Sequence, residues 1–372
     1  MLRWKYSPDA AASLTWSLTA RSLTLAMKPE GFRRVPTWKP FGCESIISLA
    51  LQFPPQMKVA LVTSSMPLAP WQNGITRAFA ETGLAAEVVP WEDRHPRSTI
   101  GARYALVWLP PAQLFEVERD LEVVFNLGAG VDRLLANAVV PEHLPIVRLV
   151  DAGMAVRMAE YVCFAIARAT RGLDRFGPGG LRDWNASRPR GKPPTVGVLG
   201  AGAIGSKIAE AAAMFGYPVR VWSRTPRTLA GMESFAGLEQ LDVFLAGSNF
   251  LVNALPLTGE TENLLDRARL SKLPQGAHVI NVGRGATIVD ADLLALLDDG
   301  HLGGATLDVF RVEPLPDADP YWSHPKVIVT PHLSGPTPVA PAATQIADAI
   351  VQLERGVPAK SLPGYVDRAR GY

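Results

Sequence analysis

One glycine pattern constrains the fold of this chain more than any other feature. A short apolar strand at residues 196–199 leads into Gly200-Ala201-Gly202-Ala203-Ile204-Gly205, and a helical stretch follows at residues 206–215. A tight turn from a buried strand into a helix is how a βαβ unit begins, and such units assemble into parallel sheets. The pattern therefore predicts an α/β fold.

The same glycines indicate what the turn binds. The first allows the tight turn, the second lets the backbone approach a pyrophosphate, and the third lets helix and strand pack closely. The N–H groups at the start of the helix offer partial positive charge to the phosphates. Because a strand precedes the pattern and a helix follows it, we expect a dinucleotide at Gly200, Gly202, Ala203, Ile204 and Gly205 rather than a turn without a ligand.

The end of the next strand distinguishes between the two nicotinamide cofactors. An acidic residue about 20 positions on binds the ribose 2′-hydroxyl of NAD, whereas this chain has Ser223, Arg224 and Thr225 there. Arginine can stack on the adenine and pair with a 2′-phosphate, and the two hydroxyls can donate to it. We expect NADPH to be preferred, with NADH also allowed; the alternative is a solvated basic loop.

Apolar strands and helical stretches alternate along most of the chain. Helices are expected at residues 71–82, 156–171, 290–299 and 340–355. The candidate strands lie at residues 59–62, 87–89, 104–108, 123–126, 196–199, 219–222, 250–254, 278–281, 305–308 and 327–330. This alternation predicts an α/β protein of two doubly wound parallel-sheet domains, a Rossmann cofactor domain and a flavodoxin-like substrate domain, with a cleft between them.

Composition and loop residues divide the chain into three parts. Residues 1–56 carry seven Lys or Arg against three acidic residues and show no sustained helix or strand period. This N-terminal extension has three open interpretations: a basic targeting peptide, an upstream extension of the reading frame with Met57 as the working start, or a genuine appendage. We assign residues 57–155 and 338–372 to the substrate domain and residues 156–337 to the cofactor domain.

The overall composition limits the partners and the compartment. The 372 residues are 48% hydrophobic and carry a formal net charge of +2, a charge too small to predict a nucleic-acid surface. Two distant cysteines, Cys43 and Cys163, match neither a disulfide framework nor a zinc spacing, so we expect a cytoplasmic protein without a metal. No apolar run reaches the roughly 20 residues that a membrane helix needs.

Several further motifs, in order along the chain, resemble one enzyme family. They are YALVW at 104–108, NLGAGVD at 126–132, NVGRG at 281–285, LDVF at 307–310, VEP at 312–314, TPH at 330–332 and VDRARGY at 366–372. Together they resemble the D-isomer-specific 2-hydroxyacid dehydrogenases, and among these the bacterial glyoxylate/hydroxypyruvate reductases of the A type. The missing ribose carboxylate and residues 1–56 depart from the common pattern of this family.

The resemblance implies catalytic roles for three charged side chains. Arg284 would bind the carboxylate and keto oxygen of a 2-oxo acid, and its charge would stabilise the oxygen as it becomes negative. His332 would be the general acid for that oxygen. Glu313 would pair with His332 and favour the protonated ring. Taken singly, the three residues could equally be a turn arginine, a solvated loop carboxylate and a packed loop histidine.

The resemblance also implies binding residues. Asp308 would bond the nicotinamide carboxamide, and Leu255-Pro256 would lie near the nicotinamide ribose. Backbone N–H groups of Ala129 and Gly130 would hold the substrate carboxylate, since small residues permit a close approach. Trp108 is either a wall of the substrate pocket or a core tryptophan.

The family suggests the partners too. The substrate would be a small 2-oxo acid such as glyoxylate or hydroxypyruvate, and the helix at 156–171, apolar on most sides, is the candidate contact of a homodimer. The rival interpretations are a phosphoglycerate or phosphite dehydrogenase of the same family, and a nucleotide-sensing protein like the family's corepressors, because one scaffold carries several functions. Retention of Arg284, Glu313 and His332 favours an enzyme.

Residues 1–56 are expected to be dispensable, because they show no core-forming periodicity. Deleting them should leave both the dehydrogenase activity and the melting temperature nearly unchanged. Thermal unfolding and an activity assay on the truncated and full chains test this; a large loss of either would show that the segment is a folded part of the enzyme.

Overall fold

A computed structural model describes residues 57–91, 98–176, 180–182 and 191–372. The extension predicted at residues 1–56 lies outside the described residues. Within the described part, the strands form two separate, fully parallel sheets, one of five strands and one of seven. Both domains of the predicted α/β fold are thus present.

The five-stranded sheet has the strand order β2-β1-β3-β4-β5, which is the flavodoxin-like order. Four of its strands match predicted ones, with ends that differ by at most two residues; β5, a strand of three residues, was not predicted. The strands are β1 (Met57–Thr63), β2 (Ala86–Pro90), β3 (Ala102–Trp108), β4 (Val123–Asn126) and β5 (Ile146–Arg148). The helices of this segment are α1 (Leu68–Thr82), α2 (Gln113–Val117) and α3 (Asp132–Ala136).

The end of the chain packs on this first sheet. Helix α9 (Val339–Glu354) lies against α1, and its buried Ile346 and Ile350 share one core with Ile75 and Phe79. The last residues also return to the sheet, since the Val366 N–H donates to the Ile146 carbonyl of β5 at 2.9 Å. Residues far apart in sequence therefore build one core.

The seven-stranded sheet has the order β12-β11-β10-β9-β6-β7-β8. Counted from β6, this is the Rossmann order 3-2-1-4-5-6 with one strand added after the last. Edge strand β8 was not predicted, because its first two residues are exposed and polar. The strands are β6 (Val196–Leu199), β7 (Val219–Ser223), β8 (Glu233–Ala236), β9 (Phe250–Asn253), β10 (Ala277–Asn281), β11 (Leu302–Leu307) and β12 (Val327–Val329). The helices are α5 (Ala203–Met214), α6 (Leu241–Ala246), α7 (Arg267–Leu270) and α8 (Asp290–Asp298).

The long helix α4 (Met154–Arg171) begins two residues before its predicted start and packs against α5. Its buried face includes Val162 and Ile166, which share a core with β6 and α5. The opposite face leaves Val156 and Phe164 each 59% exposed. Among the helices of the described residues, none combines the length and the apolar character that spanning a membrane requires.

Strand direction decides where the predicted site residues lie. Trp108 ends β3, the 128–130 loop follows β4, and the glycine loop follows β6. Arg284, Asp308 and His332 follow β10, β11 and β12 respectively. Because carboxyl ends of parallel strands share one edge of a sheet, each sheet presents its candidate residues on a single edge.

Candidate active site

The glycine loop has the geometry that a pyrophosphate needs. Gly200 adopts a left-handed φ of +101°, and a Cβ on Gly205 would lie only 1.6 Å from the Gly200 carbonyl oxygen. Gly202 faces open space, with no atom within 4 Å of an added Cβ. Helix α5 begins directly afterwards at Ala203, with no side chain capping its N-terminus and no acidic residue in its first turn. Its N–H groups, Ile204 included, are thus available to an anion.

The loop after β7 holds the residues expected to select the cofactor. Arg224 is exposed; its guanidinium forms an ion pair with Glu260 at 3.1 Å and lies 5.3 Å from the ring of Tyr372, the last residue of the chain. Ser223 turns its hydroxyl into the loop, where it donates to the Thr225 carbonyl at 2.7 Å. Of the three predicted residues Ser223, Arg224 and Thr225, only Arg224 carries a charge, and its side chain is exposed where a ligand can reach it.

A second connection ties this loop to the glycine loop. Arg227 donates to the Ala201 carbonyl at 3.0 Å. Beside the glycine loop, a Cβ on Gly200 would meet the Ala254 carbonyl at 3.0 Å, so the turn after β9 packs directly on it. In that turn Leu255 is 7% exposed and Pro256 is exposed. The structure thus brings the predicted phosphate and ribose loops together.

Buried amides shape the turn that carries Arg284. Asn253 donates its side-chain N–H to Asn281 Oδ1 at 2.9 Å and to Thr287 Oγ1 at 2.6 Å. Asn281 and Thr287 then donate to the Arg284 carbonyl at 3.1 and 2.6 Å. All three polar residues are at most 1% exposed. Because a buried polar group is costly unless it is hydrogen-bonded, this network specifies one backbone path for the turn.

The Arg284 guanidinium itself is held at two of its nitrogens. Nε donates to Asp132 Oδ1 at 2.8 Å, and Nη1 donates to the Gly283 carbonyl at 2.8 Å. Nη2 lies against Gly130, where a Cβ would approach it to 1.4 Å. Arg284, which follows a strand of the second sheet, therefore contacts the 128–130 loop of the first sheet. A residue that binds a substrate between the two sheets needs such a position.

The 128–130 loop is arranged by Asn126, a residue that sequence reasoning did not assign. Its buried amide donates to the carbonyls of Gly128 and Gly130, both at 2.9 Å. The N–H groups of Ala129 and Gly130 donate to no group in the described part of the chain. Trp108 lies against this loop, since a Cβ on Gly128 would be 2.6 Å from its ring, and it also packs on the first core. Both interpretations of Trp108 are compatible with this position.

His332 and Glu313 form a hydrogen-bonded pair. The Nδ1 atom of His332 lies 3.0 Å from Glu313 Oε2, with the histidine side chain 50% exposed and the glutamate 18% exposed. Glu313 Oε1 accepts the Phe310 N–H at 3.0 Å. Since the pair uses Nδ1, the ring has Nε2 left for a substrate oxygen.

The charge state of Glu313 follows from its surroundings. Burial by itself raises the pKa of the Glu313 carboxyl. Hydrogen bonds from the His332 ring and the Phe310 N–H outweigh that effect and hold the pKa below its ordinary value. The Arg133 cation, whose Nη2 is 3.1 Å from Glu313 Oε2, acts in the same direction. Glu313 is therefore ionised where a histidine titrates.

Asp308 fixes the loop that carries His332. Its fully buried carboxylate accepts the N–H groups of Leu333 and Ser334, each at 2.9 Å, and the Thr330 hydroxyl at 2.6 Å. Its carbonyl accepts the His332 N–H at 2.9 Å. His332 itself has a left-handed φ of 51°, a conformation that non-glycine residues keep only when their surroundings hold them. In the described residues, no group of three or more His, Cys, Asp or Glu could hold a metal ion.

Comparison with known proteins identifies the family of this chain. A family model described as D-isomer specific 2-hydroxyacid dehydrogenase, NAD binding domain, matches residues 163–334. A D-isomer specific 2-hydroxyacid dehydrogenase from Xanthobacter autotrophicus, crystallised with NADPH, is 40% identical over 84% of this chain and 99% of its own, with a TM-score of 0.76. The chain belongs to the D-isomer specific 2-hydroxyacid dehydrogenase family. It is an NAD(P)-dependent enzyme of that family.

Two further solved structures resemble this dehydrogenase. An NADPH-dependent glyoxylate/hydroxypyruvate reductase from Sinorhizobium meliloti, crystallised with NADP and sulfate, is 34% identical, with 85% of this chain and 100% of that chain covered and a TM-score of 0.75. A probable 2-hydroxyacid dehydrogenase from Rhizobium etli, crystallised with NADP, HEPES and L(+)-tartaric acid, is 33% identical with the same coverage and a TM-score of 0.73. The family predicted from the motifs is confirmed.

The sequence did not predict the residues that contact the predicted site residues. Asp132 stands in the sequence only as the last residue of a motif, and no motif includes Arg133. Glu260 and Tyr372 could not be associated with Arg224, because they are 36 and 148 residues away from it in the chain. For Asn126, Asn253 and Asn281 a signal existed, since each is a polar residue that ends an apolar strand.

Glu313→Gln should change how the reaction depends on pH. The ionised carboxylate favours the imidazolium, whereas the amide keeps the shape and a hydrogen bond without the charge. Reduction of the oxo acid, which needs the protonated ring, should fade at a lower pH than in the parent. Oxidation of the hydroxy acid, which needs the neutral ring, should persist to lower pH. Paired pH–rate profiles with a cofactor titration test this. Unshifted limbs or a large loss of cofactor affinity would contradict it.

Proposed function

We propose that this dehydrogenase reduces a small 2-oxo acid, such as glyoxylate or hydroxypyruvate, to the 2-hydroxy acid with the hydride of NADPH. The observation that carries the proposal is the position of Arg284. Its Nη2 lies against Gly130, while its other nitrogens are occupied by Asp132 and Gly283. The S. meliloti reductase, 34% identical, supports this choice of substrate.

The substrate carboxylate would lie between Arg284 and the 128–130 loop. The loop offers the N–H groups of Ala129 and Gly130, and Arg284 adds a fixed positive charge. The ring of Trp108 beside Gly128 would bound the pocket and leave room for a small acid. The keto oxygen would lie towards Arg284, whose charge stabilises that oxygen as it becomes negative.

His332 would supply the proton. Glu313 holds Nδ1, so the protonated ring donates from Nε2 to the keto oxygen as the carbon receives the hydride. The product is the 2-hydroxy acid, and the neutral ring regains its proton from solvent. The half-exposed ring permits that exchange. In the reverse direction the neutral ring would accept the hydroxyl proton.

The cofactor would lie along the carboxyl edge of the second sheet. The open face at Gly202 and the uncapped start of α5 fit the pyrophosphate. Arg224 would bind the 2′-phosphate, with Ser223 and Thr225 beside it, and the Leu255-Pro256 turn would flank the nicotinamide ribose. Asp308 would face the carboxamide. When bound, the nicotinamide supplies the hydride.

One sheet would belong to the domain that binds the substrate and the other to the domain that binds the cofactor. We propose residues 57–155 with 338–372 as the substrate domain and residues 156–337 as the cofactor domain, which the shared core of α9 and α1 supports. Closure of the cleft would exclude water from the hydride transfer.

Helix α4 would form the contact of a homodimer. Its uncovered face carries Val156 and Phe164, and large apolar side chains exposed together mark an interface. Sedimentation equilibrium tests this assembly, and a monomeric mass at micromolar concentration would contradict it. We propose a cytoplasmic location because Cys43 and Cys163 are far apart in the sequence and match no disulfide framework.

The proposed substrate is tested by following the loss of NADPH absorbance with glyoxylate, hydroxypyruvate and 3-phosphohydroxypyruvate. A second assay follows the formation of NADPH from NADP with phosphite as the compound that is oxidised. We expect the first two to be reduced with the highest kcat/KM. Arg284→Lys keeps the charge but lacks the planar fork, so it should lose at least about tenfold in kcat/KM. Preference for a phosphorylated acid or phosphite, or cofactor binding without turnover, would favour the rival functions instead.

The cofactor preference is tested at Arg224. The parent should have a higher kcat/KM with NADPH than with NADH, and Arg224→Asp should reverse that order, because a carboxylate repels the 2′-phosphate and accepts from a ribose hydroxyl. Arg267→Asp, a change of the same charge at an exposed arginine outside the site, is the control and should keep the parent's preference. Equal efficiency of the parent with both cofactors would refute the role of Arg224.

A further inference from the structure

Two consecutive residues at the start of α3 reach across to the second sheet and contact two different catalytic side chains. Asp132 Oδ1 accepts from Arg284 Nε at 2.8 Å, and Arg133 Nη2 donates to Glu313 Oε2 at 3.1 Å. The partners are 152 and 180 residues away along the chain. A single turn on the first sheet thus holds groups that the second sheet supplies.

The contact with Asp132 determines which way the Arg284 fork faces. Asp132 and Arg284 are 19% and 27% exposed, so this ion pair is largely shielded from water. With Nε and Nη1 occupied, Nη2 is the nitrogen that faces Gly130. An arginine side chain has many rotamers, and a misplacement of about 1 Å can cost a reaction about 100-fold. Asp132 therefore removes freedom that would weaken the substrate clamp.

The contact with Arg133 acts on the proton donor. Glu313 Oε2 accepts from both Arg133 and the His332 ring, at 3.1 and 3.0 Å. Two cations that share one carboxylate oxygen compete for its charge, so Arg133 makes the imidazolium less favourable than Glu313 alone would. A further charged group, the Asp308 carboxylate, lies beneath the His332 loop, where it accepts hydrogen bonds from Leu333, Ser334 and Thr330.

We propose that Asp132 and Arg133 are positioning residues, an inference that rests on the proposed function. Asp132 orients the Arg284 guanidinium, and Arg133 sets how firmly Glu313 holds the His332 proton. Asp132 and Arg133 belong to the segment of the first sheet, whereas Arg284 and Glu313 follow strands of the second. The orientation of Arg284 and the hydrogen bonds of Glu313 therefore depend on contact between the two sheets. Neither residue contacts the reacting atoms.

The role of Asp132 is tested with Asp132→Ala and Asp132→Asn. The alanine variant should lose at least about tenfold in kcat/KM for the oxo acid, and the asparagine variant, whose carbonyl still accepts from Nε, should lose less. The NADPH dissociation constant, measured by fluorescence, should stay within about twofold in both, which shows that the fold and the cofactor site persist.

The role of Arg133 is tested with Arg133→Gln and Arg133→Lys. Loss of the cation should move the high-pH limit of oxo-acid reduction upward, opposite in direction to Glu313→Gln, because Glu313 Oε2 then accepts from the His332 ring alone. The lysine variant keeps the charge and should restore the parent's profile. A residue that merely stabilised the fold would not move a pH limit in this way.

The exposed ion pair Arg267–Asp299 provides matched controls. Its atoms are 3.3 Å apart, and Arg267 is 54% exposed where Arg133 is 52% exposed. Arg267→Gln and Asp299→Ala remove the same groups outside the site, so both should keep the parent's kcat/KM and pH limits. The two control variants show whether the loss of any exposed ion pair changes the activity, or only the loss of the Asp132–Arg284 and Arg133–Glu313 contacts.

A measurement without turnover separates this inference from the proposed function. ¹⁵N NMR of the protein should show the His332 ring titrating at higher pH in Arg133→Gln than in the parent, and the Arg284 Nε–H exchanging faster with water in Asp132→Ala. If the parent reduces no oxo acid, the proposed function fails and these signals still decide the positioning roles. Two results would overturn the inference. One is a His332 ring that titrates at the same pH in Arg133→Gln as in the parent. The other is an Arg284 Nε–H that exchanges with water no faster in Asp132→Ala than in the control Asp299→Ala.

Discussion

Parallel pairing of the strands is the constraint on which the site depends. In both sheets all strands run the same way, so their carboxyl ends meet at one edge, and the predicted site residues lie at such an end or in the segment that follows it. In the second sheet the strand order reverses between β6 and β9, and open α/β sheets bind ligands in the crevice at such a reversal. That opening is where the glycine loop and the Leu255-Pro256 turn lie side by side. Antiparallel pairing would distribute the same turns over two edges.

Buried hydrogen bonds then decide the shape of each turn. Asn126 draws in the carbonyls of the 128–130 loop, the amides of Asn253 and Asn281 determine the Arg284 turn, and Asp308 holds the loop of His332. Each of these groups would be costly to bury without its partners, so the native path is the one that satisfies them. These hydrogen bonds hold the loops that carry the predicted site residues.

Some structural elements were beyond sequence reasoning for identifiable reasons. Strands of four residues with a polar exposed face, such as β8, have too few apolar positions to show a period of two. Helix α3 is only five residues long and gives no helical period either. Yet α3 begins with the two side chains that contact Arg284 and Glu313. Short elements are stabilised by tertiary contacts, so their signal lies in residues distant along the chain.

The sequence by itself determined the fold class and the family, and it predicted the central residues of the site. The glycine pattern, strand alternation and ordered motifs are local, and each needs only a few neighbouring residues to be recognised. Only the tertiary structure decided how those residues are held: that Arg284 meets Asp132, that Glu313 is shared between His332 and Arg133, and that Tyr372 lies on Arg224. These contacts join residues from 19 to 180 positions apart, and hydrophobic periodicity contains no information about which distant side chains meet.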